Sequence, residues 1–250
     1  MAETGQRAFL RNVVNRLDAL LADHPEVASI FNRIAHHVGP PVLFGGAVRD
    51  LMSSGRGARP RDLDLVVECA GVEDLTDALH ASALPMRRTR FGGVRIHAGT
   101  LPVDIWPFKD TWAIRKGIVR AGGIHDLPRT TFLNVEAIAV QMGSPRGGPR
   151  IFEHGFFSAF ESRTVEINLE ENPFPETCVV RALVTAKRLG FVVGPRLASF
   201  VVRHAQALSH RDLLEIQLGH YGRVVLDANA IGCLVEQCLS RRAHLPAVPK

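Results

Sequence analysis

Lysine is nearly missing from this sequence: four of 250 residues, against 26 arginines. The formal net charge of +5 therefore rests on guanidinium groups. Their planar fork of donors suits phosphate better than a lone ammonium does. That excess favours phosphate-bearing partners, although an arginine-rich surface without a partner fits it as well. Cysteine is also scarce. Cys69, Cys178, Cys233 and Cys238 are scattered and form no CxxC pair. Reduced, buried thiols are expected, not a disulfide framework or a zinc site. Eleven histidines are present without an HExxH spacing, which disfavours a zinc enzyme. No apolar run approaches the roughly 20 residues that span a bilayer. The opening MAETGQRAFLRN has no apolar core behind a basic stub, so a cytoplasmic protein without a secretory signal or membrane partner is expected.

What is present is the composition of a folded protein. The 46% apolar and 22% charged content excludes gross disorder, and the length suits one large domain or two modest ones. Residues 6–37 carry helical periodicity, with Pro25 opening a second helix. Val42-Leu43-Phe44 predicts a buried strand, and Ala47–Met52 the first turns of a helix. Leu63–Glu68 alternates as a strand, and residues 72–83 predict a helix. Val94–His97 and Leu101–Trp106 predict an antiparallel pair around Gly99. Val135–Val140 predicts a further buried element, and Phe152–Ile167 a hairpin region. After Pro173 four segments have helical periodicity: 178–189, 195–208, 211–218 and 223–239. The fold class expected is α+β. The division expected is 1–38 as helices packing on a head, 39–170 as a mixed α/β head, and 171–250 as a small all-helical part.

The chemistry concentrates in Phe44-Gly45-Gly46-Ala47-Val48-Arg49-Asp50 and Arg61-Asp62-Leu63-Asp64-Leu65-Val66. Two glycines between a strand and a helix let backbone N–H groups approach a phosphate, and the helix start adds partial positive charge. A plain tight turn has the same signature. Asp62 and Asp64 are one residue apart at a strand start, so both point to one face. Side-by-side carboxylates repel unless a cation lies between them, and Mg²⁺ typically uses one or two carboxylates with substrate phosphates. A solvated acidic strand end is the plainer alternative. Asp104 is a third carboxylate, on a strand whose neighbours Val103 and Ile105 point the other way; the end of a hairpin would also explain it. Three carboxylates converging on two metal ions would support in-line attack on a nucleotide α-phosphate.

The pattern GGAVRD…RDLDLVV resembles the head domain of the class II tRNA nucleotidyltransferases (CCA-adding enzymes) and bacterial poly(A) polymerases, members of the polymerase-β-like nucleotidyltransferases. The resemblance runs over about residues 40–191. It implies a mixed-sheet head followed by a helical neck and truncated body. It implies Asp62, Asp64 and Asp104 as catalytic metal ligands for Mg²⁺, two ions expected, with Mn²⁺ as a substitute. Gly45, Gly46 and Arg49 would contact the triphosphate, and Asp50 would be a partly structural carboxylate at the helix start. Arg181, on the neck helix, is a nucleotide contact by the same resemblance; Arg188 follows on about the same face. The expected activity is transfer of a nucleoside monophosphate from an NTP to an acceptor hydroxyl, an RNA 3′ end, with release of pyrophosphate. A protein or small-molecule acceptor, or a non-catalytic nucleotide-binding regulator, are the alternatives. Arg56, Arg59 and Arg61, with Arg87, Arg88 and Arg90, form the expected polyanion patch; Phe91 is its one aromatic. Arg129–Ala137 stands where the family has roughly RRDFTINALA. Cys178 stands where the family's base-reading arginine would be, preceded by Pro175-Glu176 instead of an acid pair, so a CTP-then-ATP template is not expected.

Overall fold

The computed structural model describes residues 3–52, 60–80, 84–143, 147–205 and 208–242. The chain divides into two compact units, Met1–Thr131 with Val135–Phe156, and Phe132–Asn134 with Phe157–Lys250.

The first unit opens with two helices, α1 (Glu3–Asp23) and α2 (Pro25–His37). Pro25 suits the first turn of α2, where its missing N–H has no partner to lose. Val13, Leu17, Val27, Ile30 and Ile34 are fully buried at helical spacing. The remaining elements are β1 (Val42–Phe44), α3 (Gly46–Met52), β2 (Leu63–Val67), α4 (Val72–His80), β3 (Met86–Arg88), β4 (Val94–Ala98), β5 (Leu101–Pro107), α5 (Trp112–Arg115), β6 (Ile138–Gln141) and β7 (Arg150–Glu153). The strands form one seven-stranded sheet in the order β3-β4-β5-β2-β1-β6-β7. Only β2 and β5 run parallel; the other neighbours are antiparallel. Alternation sorts the two faces. Leu63, Leu65, Val94, Ile96, Val103 and Ile105 are completely buried on one. On the other, Val42, Phe44, Val66 and Ala139 pack with Ile124 and Leu127 of the 3₁₀ stretch Ile124–Thr130, with Trp106, Phe108 and Phe152 partly buried against them. Asp64 and Asp104 belong to this second face, and they remain half-exposed.

The second unit begins its elements with α6 (Phe156–Ser162), whose first residue belongs to the first unit. It continues with β8 (Thr164–Val165), α7 (Pro175–Leu189), β9 (Val192–Val193), α8 (Pro195–Ala205), α9 (His210–Tyr221) and α10 (Ala228–Arg242). Strands β8 and β9 pair in parallel. The short segment Phe132–Asn134 joins this unit through bonds to residues 164–168. The Asn134 side chain donates to the Thr164 carbonyl and accepts from the Glu166 N–H, and Leu133 pairs with Ile167. Glu166 accepts from the N–H groups of Arg196 and Leu197 at the start of α8. Gly190 closes α7 at φ +62°, and Ser209 with Asp212 caps α9 reciprocally.

One expectation needs revision. Phe152–Ile167 is not a hairpin: β7 pairs with β6, a helix follows, and β8 pairs with β9. The apolar run Phe156-Phe157 with Phe160 follows helical spacing, and period-2 alternation is absent across it. The two compact units meet in the chain at Phe156/Phe157, and the pairing of β8 with β9 ties Thr164–Val165 to the strand that precedes α8. Residues 81–83, the expected end of α4, and Arg56 and Arg59 of the basic loop lie outside the described residues.

Candidate functional site

The parallel pairing of β2 with β5 puts Asp64 directly opposite Asp104. In a parallel pair, residues in register point to the same face, so the two carboxylates stand side by side. Asp62 precedes β2, and its carboxylate is paired with Arg61 at 2.9 Å. Strand β1 flanks β2 on its other side, with Leu43 opposite Leu65. One step further in that register, Phe44 and the Gly45–Gly46 turn reach the level of Asp64. The sheet thus brings together Asp62, Asp64, Asp104 and the glycine turn.

The turn itself has a strict local logic. Gly45 has φ +68°, a left-handed conformation that glycine adopts without strain. Its N–H donates to the Ile138 carbonyl at 2.9 Å, so that amide completes the sheet instead of facing a ligand. At Gly46 a Cβ would stand 3.3 Å from Nη2 of Arg49. The expected triphosphate contact Arg49 is only 6% exposed. Its Nε donates to Asp50 Oδ1 at 2.8 Å and its Nη1 to Glu136 Oε1 at 2.6 Å. Burial works against the charge, but Glu136 and Asp50 outweigh it and raise the Arg49 pKa above the ordinary arginine value. Arg49 therefore braces the turn from beneath. Asp50, equally buried, has the structural part expected of it.

Two residues of this site were not singled out by sequence reasoning. Glu136 is the buried partner of Arg49, and a glutamate inside the apolar run Val135–Val140 is the signal for such a partner. Arg95 stands opposite Asp104 on β4. Its Nε donates to Asp104 Oδ1 at 2.6 Å and its Nη2 donates to Oδ2. The hydrogen bond to Asp104 raises the Arg95 pKa; burial opposes it, and the charges of Asp104, Asp62 and Asp64 add to it. The two-residue turn Gly99-Thr100 already implies this register, because it sets Ala98 against Leu101 and hence Arg95 against Asp104.

Of the expected polyanion patch, Arg87 and Arg88 lie exposed on the edge strand β3. Arg88 is paired with Glu73 at 3.1 Å, and Arg90 lies over the Phe91 ring at 5.0 Å. Arg181 is half-buried and Arg188 exposed on α7, in the second unit; Cys178 on the same helix is 1% exposed. Among the described residues no helix is long and apolar enough to cross a membrane.

Neither the family models nor the curated proteins contain a match to this sequence. Solved structures do match. A CCA-adding enzyme in complex with CTP superposes with a TM-score of 0.64 at 16% identity, over 96% of this chain and 57% of that one. The Thermotoga maritima CCA-adding enzyme complexed with tRNA gives 0.62 at 16%, over 96% and 56%. A tRNA nucleotidyltransferase complexed with a primer tRNA and an incoming ATP analogue gives 0.58 at 17%, over 85% and 60%. The chain has the fold of the CCA-adding tRNA nucleotidyltransferases. It spans less than two thirds of the length of these CCA-adding enzymes.

Whether the site suits a divalent ion is a question of its donors. Among the described residues, no three Asp, Glu, His or Cys side chains stand ready as a metal cage. Mg²⁺ does not need one: it keeps water and takes one or two carboxylates plus phosphate oxygens. Asp62 and Asp64 offer that donor set, and a guanidinium already sits in the field of all three aspartates. The residues present fit a hard cation.

Proposed function

We propose that this chain is a divalent-metal-dependent nucleotidyltransferase that moves a nucleoside monophosphate from an NTP to the 3′ hydroxyl of an RNA, releasing pyrophosphate. The observation that carries the reading is the in-register pairing of Asp64 with Asp104, with Asp62 two residues upstream and the glycine turn alongside. The structural likeness to enzymes solved with CTP, an ATP analogue and tRNA supports the same substrate classes. Asp62 and Asp64 would hold Mg²⁺, or Mn²⁺ in its place. Bound there, the ion would neutralise phosphate charge and lower the pKa of the attacking hydroxyl. The chain's own groups do the rest. The braced turn at Gly45–Gly46 lets a triphosphate approach the backbone closely. Arg87, Arg88 and Arg90 offer donors to an acceptor backbone. Cys178, a weak donor and buried, supplies no fork for reading a base edge, so a CTP-then-ATP order is not part of the proposal.

The test is incubation of the full chain with Mg²⁺, each labelled NTP and total RNA. Label in RNA is expected, and Asp62→Asn and Asp64→Asn should abolish it. Label on protein or on a small solute moves the acceptor to those classes. Nucleotide binding without pyrophosphate release marks a non-catalytic regulator instead. The salt bridge that occupies Asp104 is the observation favouring that second reading.

A further inference from the structure

Four strands carry one row of charge. Register places Arg87 opposite Arg95, Arg95 opposite Asp104, and Asp104 opposite Asp64. Directly opposed side chains on one face stand with Cβ atoms about 4.5–5.5 Å apart. The row thus runs from two guanidiniums into two carboxylates, and the sign changes between β4 and β5. At that junction both oxygens of Asp104 accept from Arg95, through Nε and Nη2. An ion that needs Asp104 must first break a bidentate, charge-assisted pair, and the guanidinium cannot leave by losing its proton.

We propose that Arg95 is a resident cation of this site, holding Asp104 in place of a second divalent ion, so that the chain takes one metal ion, on Asp62 and Asp64, before nucleotide arrives. This rests on the reading of the site as a metal-dependent nucleotidyl transfer centre. Charge balance favours it. Three carboxylates less one guanidinium leave two negative charges, which one divalent ion neutralises; Arg61, half-exposed beside Asp62, is screened by solvent. A second ion would leave the site positive until a triphosphate came. Arg95 also keeps Asp104 aimed along the sheet while the site is empty of substrate, the work usually left to groups around metal ligands.

The test counts Mn²⁺ ions bound to the full chain, without nucleotide, from the loss of the free-ion electron paramagnetic resonance signal. One ion is expected on the wild type. Asp64→Asn should lose it, whereas Asp104→Asn should leave its affinity within about threefold, less than the 10–100-fold that even neighbours of metal ligands typically carry. Arg95→Met should gain a second ion, and Arg95→Met with Asp104→Asn should lose that ion again. Circular dichroism checks folding; if Arg95→Met does not fold, Arg95→Gln serves, and the wild-type count and the Asp104→Asn arm decide in either case. Two ions on the wild type, or a loss of tenfold or more in Asp104→Asn, would overturn the role of Arg95 while leaving the metal site standing. No ion on either the wild type or Arg95→Met would remove the metal site itself, and this assignment with it.

Discussion

Removing the charge of Arg49 should damage the protein far more than removing that of Glu136. The buried cluster of Arg49, Asp50 and Glu136 carries one positive and two negative charges, and the side chains are 7–9% exposed. Glu136→Gln leaves Arg49 balanced by Asp50 and keeps an amide oxygen to accept from Nη1. The loss is one charge-assisted hydrogen bond weakened to a neutral one, about 1–2 kcal/mol. Arg49→Met takes the guanidinium from between two buried carboxylates. Stripping one partner from a buried pair costs about 3–5 kcal/mol, and here two acceptors lose their donor, so the upper end applies. The double variant Arg49→Met with Glu136→Gln keeps a single buried carboxylate and should be more stable than Arg49→Met alone. Urea unfolding followed by tryptophan fluorescence measures this in the right place, because Trp106 and Trp112, the two tryptophans, both belong to the first unit. With a urea slope of about 2 kcal/mol per molar, the Arg49→Met midpoint should fall by roughly 2.5 M. A double variant whose cost equals the sum of its parts, or an Arg49→Met cost below that of Glu136→Gln, would refute the charge argument.

Gly45→Ala should cost about 1–2 kcal/mol by the same urea assay, since its φ of +68° is left-handed. Gly93→Ala should cost more, because its Cβ would meet the Ile105 carbonyl oxygen at 2.5 Å and Trp106 Cβ at 2.8 Å, and neither can give way cheaply; a cost below that of Gly45→Ala would contradict this. Ser209→Ala should lower the melting temperature at neutral pH by removing the cap of α9. The Ser209 hydroxyl and N–H hold the Asp212 carboxyl below the usual aspartate range. Its contribution is therefore present above the unfolded pKa of about 3.9 and disappears as pH falls through the lower folded value, so Asp212→Asn and wild type should converge in melting temperature at the acid end of a pH series.

How much of this was legible in the sequence depended on whether the signal was local. Helices α1 and α2, strands β1, β2, β4 and β5, and the four helices after Pro173 follow from periodicity, Pro25 and the glycines, all of which act within a few residues. Edge strand β3 is three residues long, with Arg87 and Arg88 exposed, and carries no alternation to find. Strands β8 and β9, two residues each, exist only because each supplies the other's hydrogen bonds. At the site, the aspartates and glycines were legible because their spacing is itself the signal. Glu136 was not, because its meaning lies 87 residues away at Arg49. The excess of arginine pointed outward to phosphate, yet Arg49 and Arg95 turn inward to carboxylates.

The site depends on register more than on any single side chain. Asp64 meets Asp104 only because β2 and β5 are parallel and paired at that offset; a slip of one residue would turn Asp104 toward the buried face and bring Val103 or Ile105 out. The other edge of β5 has its own register. The turn at Gly99-Thr100 fixes β4 against β5, and the same ladder, continued past Val94, brings Gly93 opposite Trp106. There the absence of a Cβ lets the strands close over the Ile105 carbonyl, and the Trp106 indole N–H is anchored to Thr111 Oγ1 at 3.0 Å. Each of these contacts holds in one register only. Asp104 thus answers to two separate registers: the turn at Gly99-Thr100 gives it Arg95, and the parallel ladder with β2 gives it Asp64.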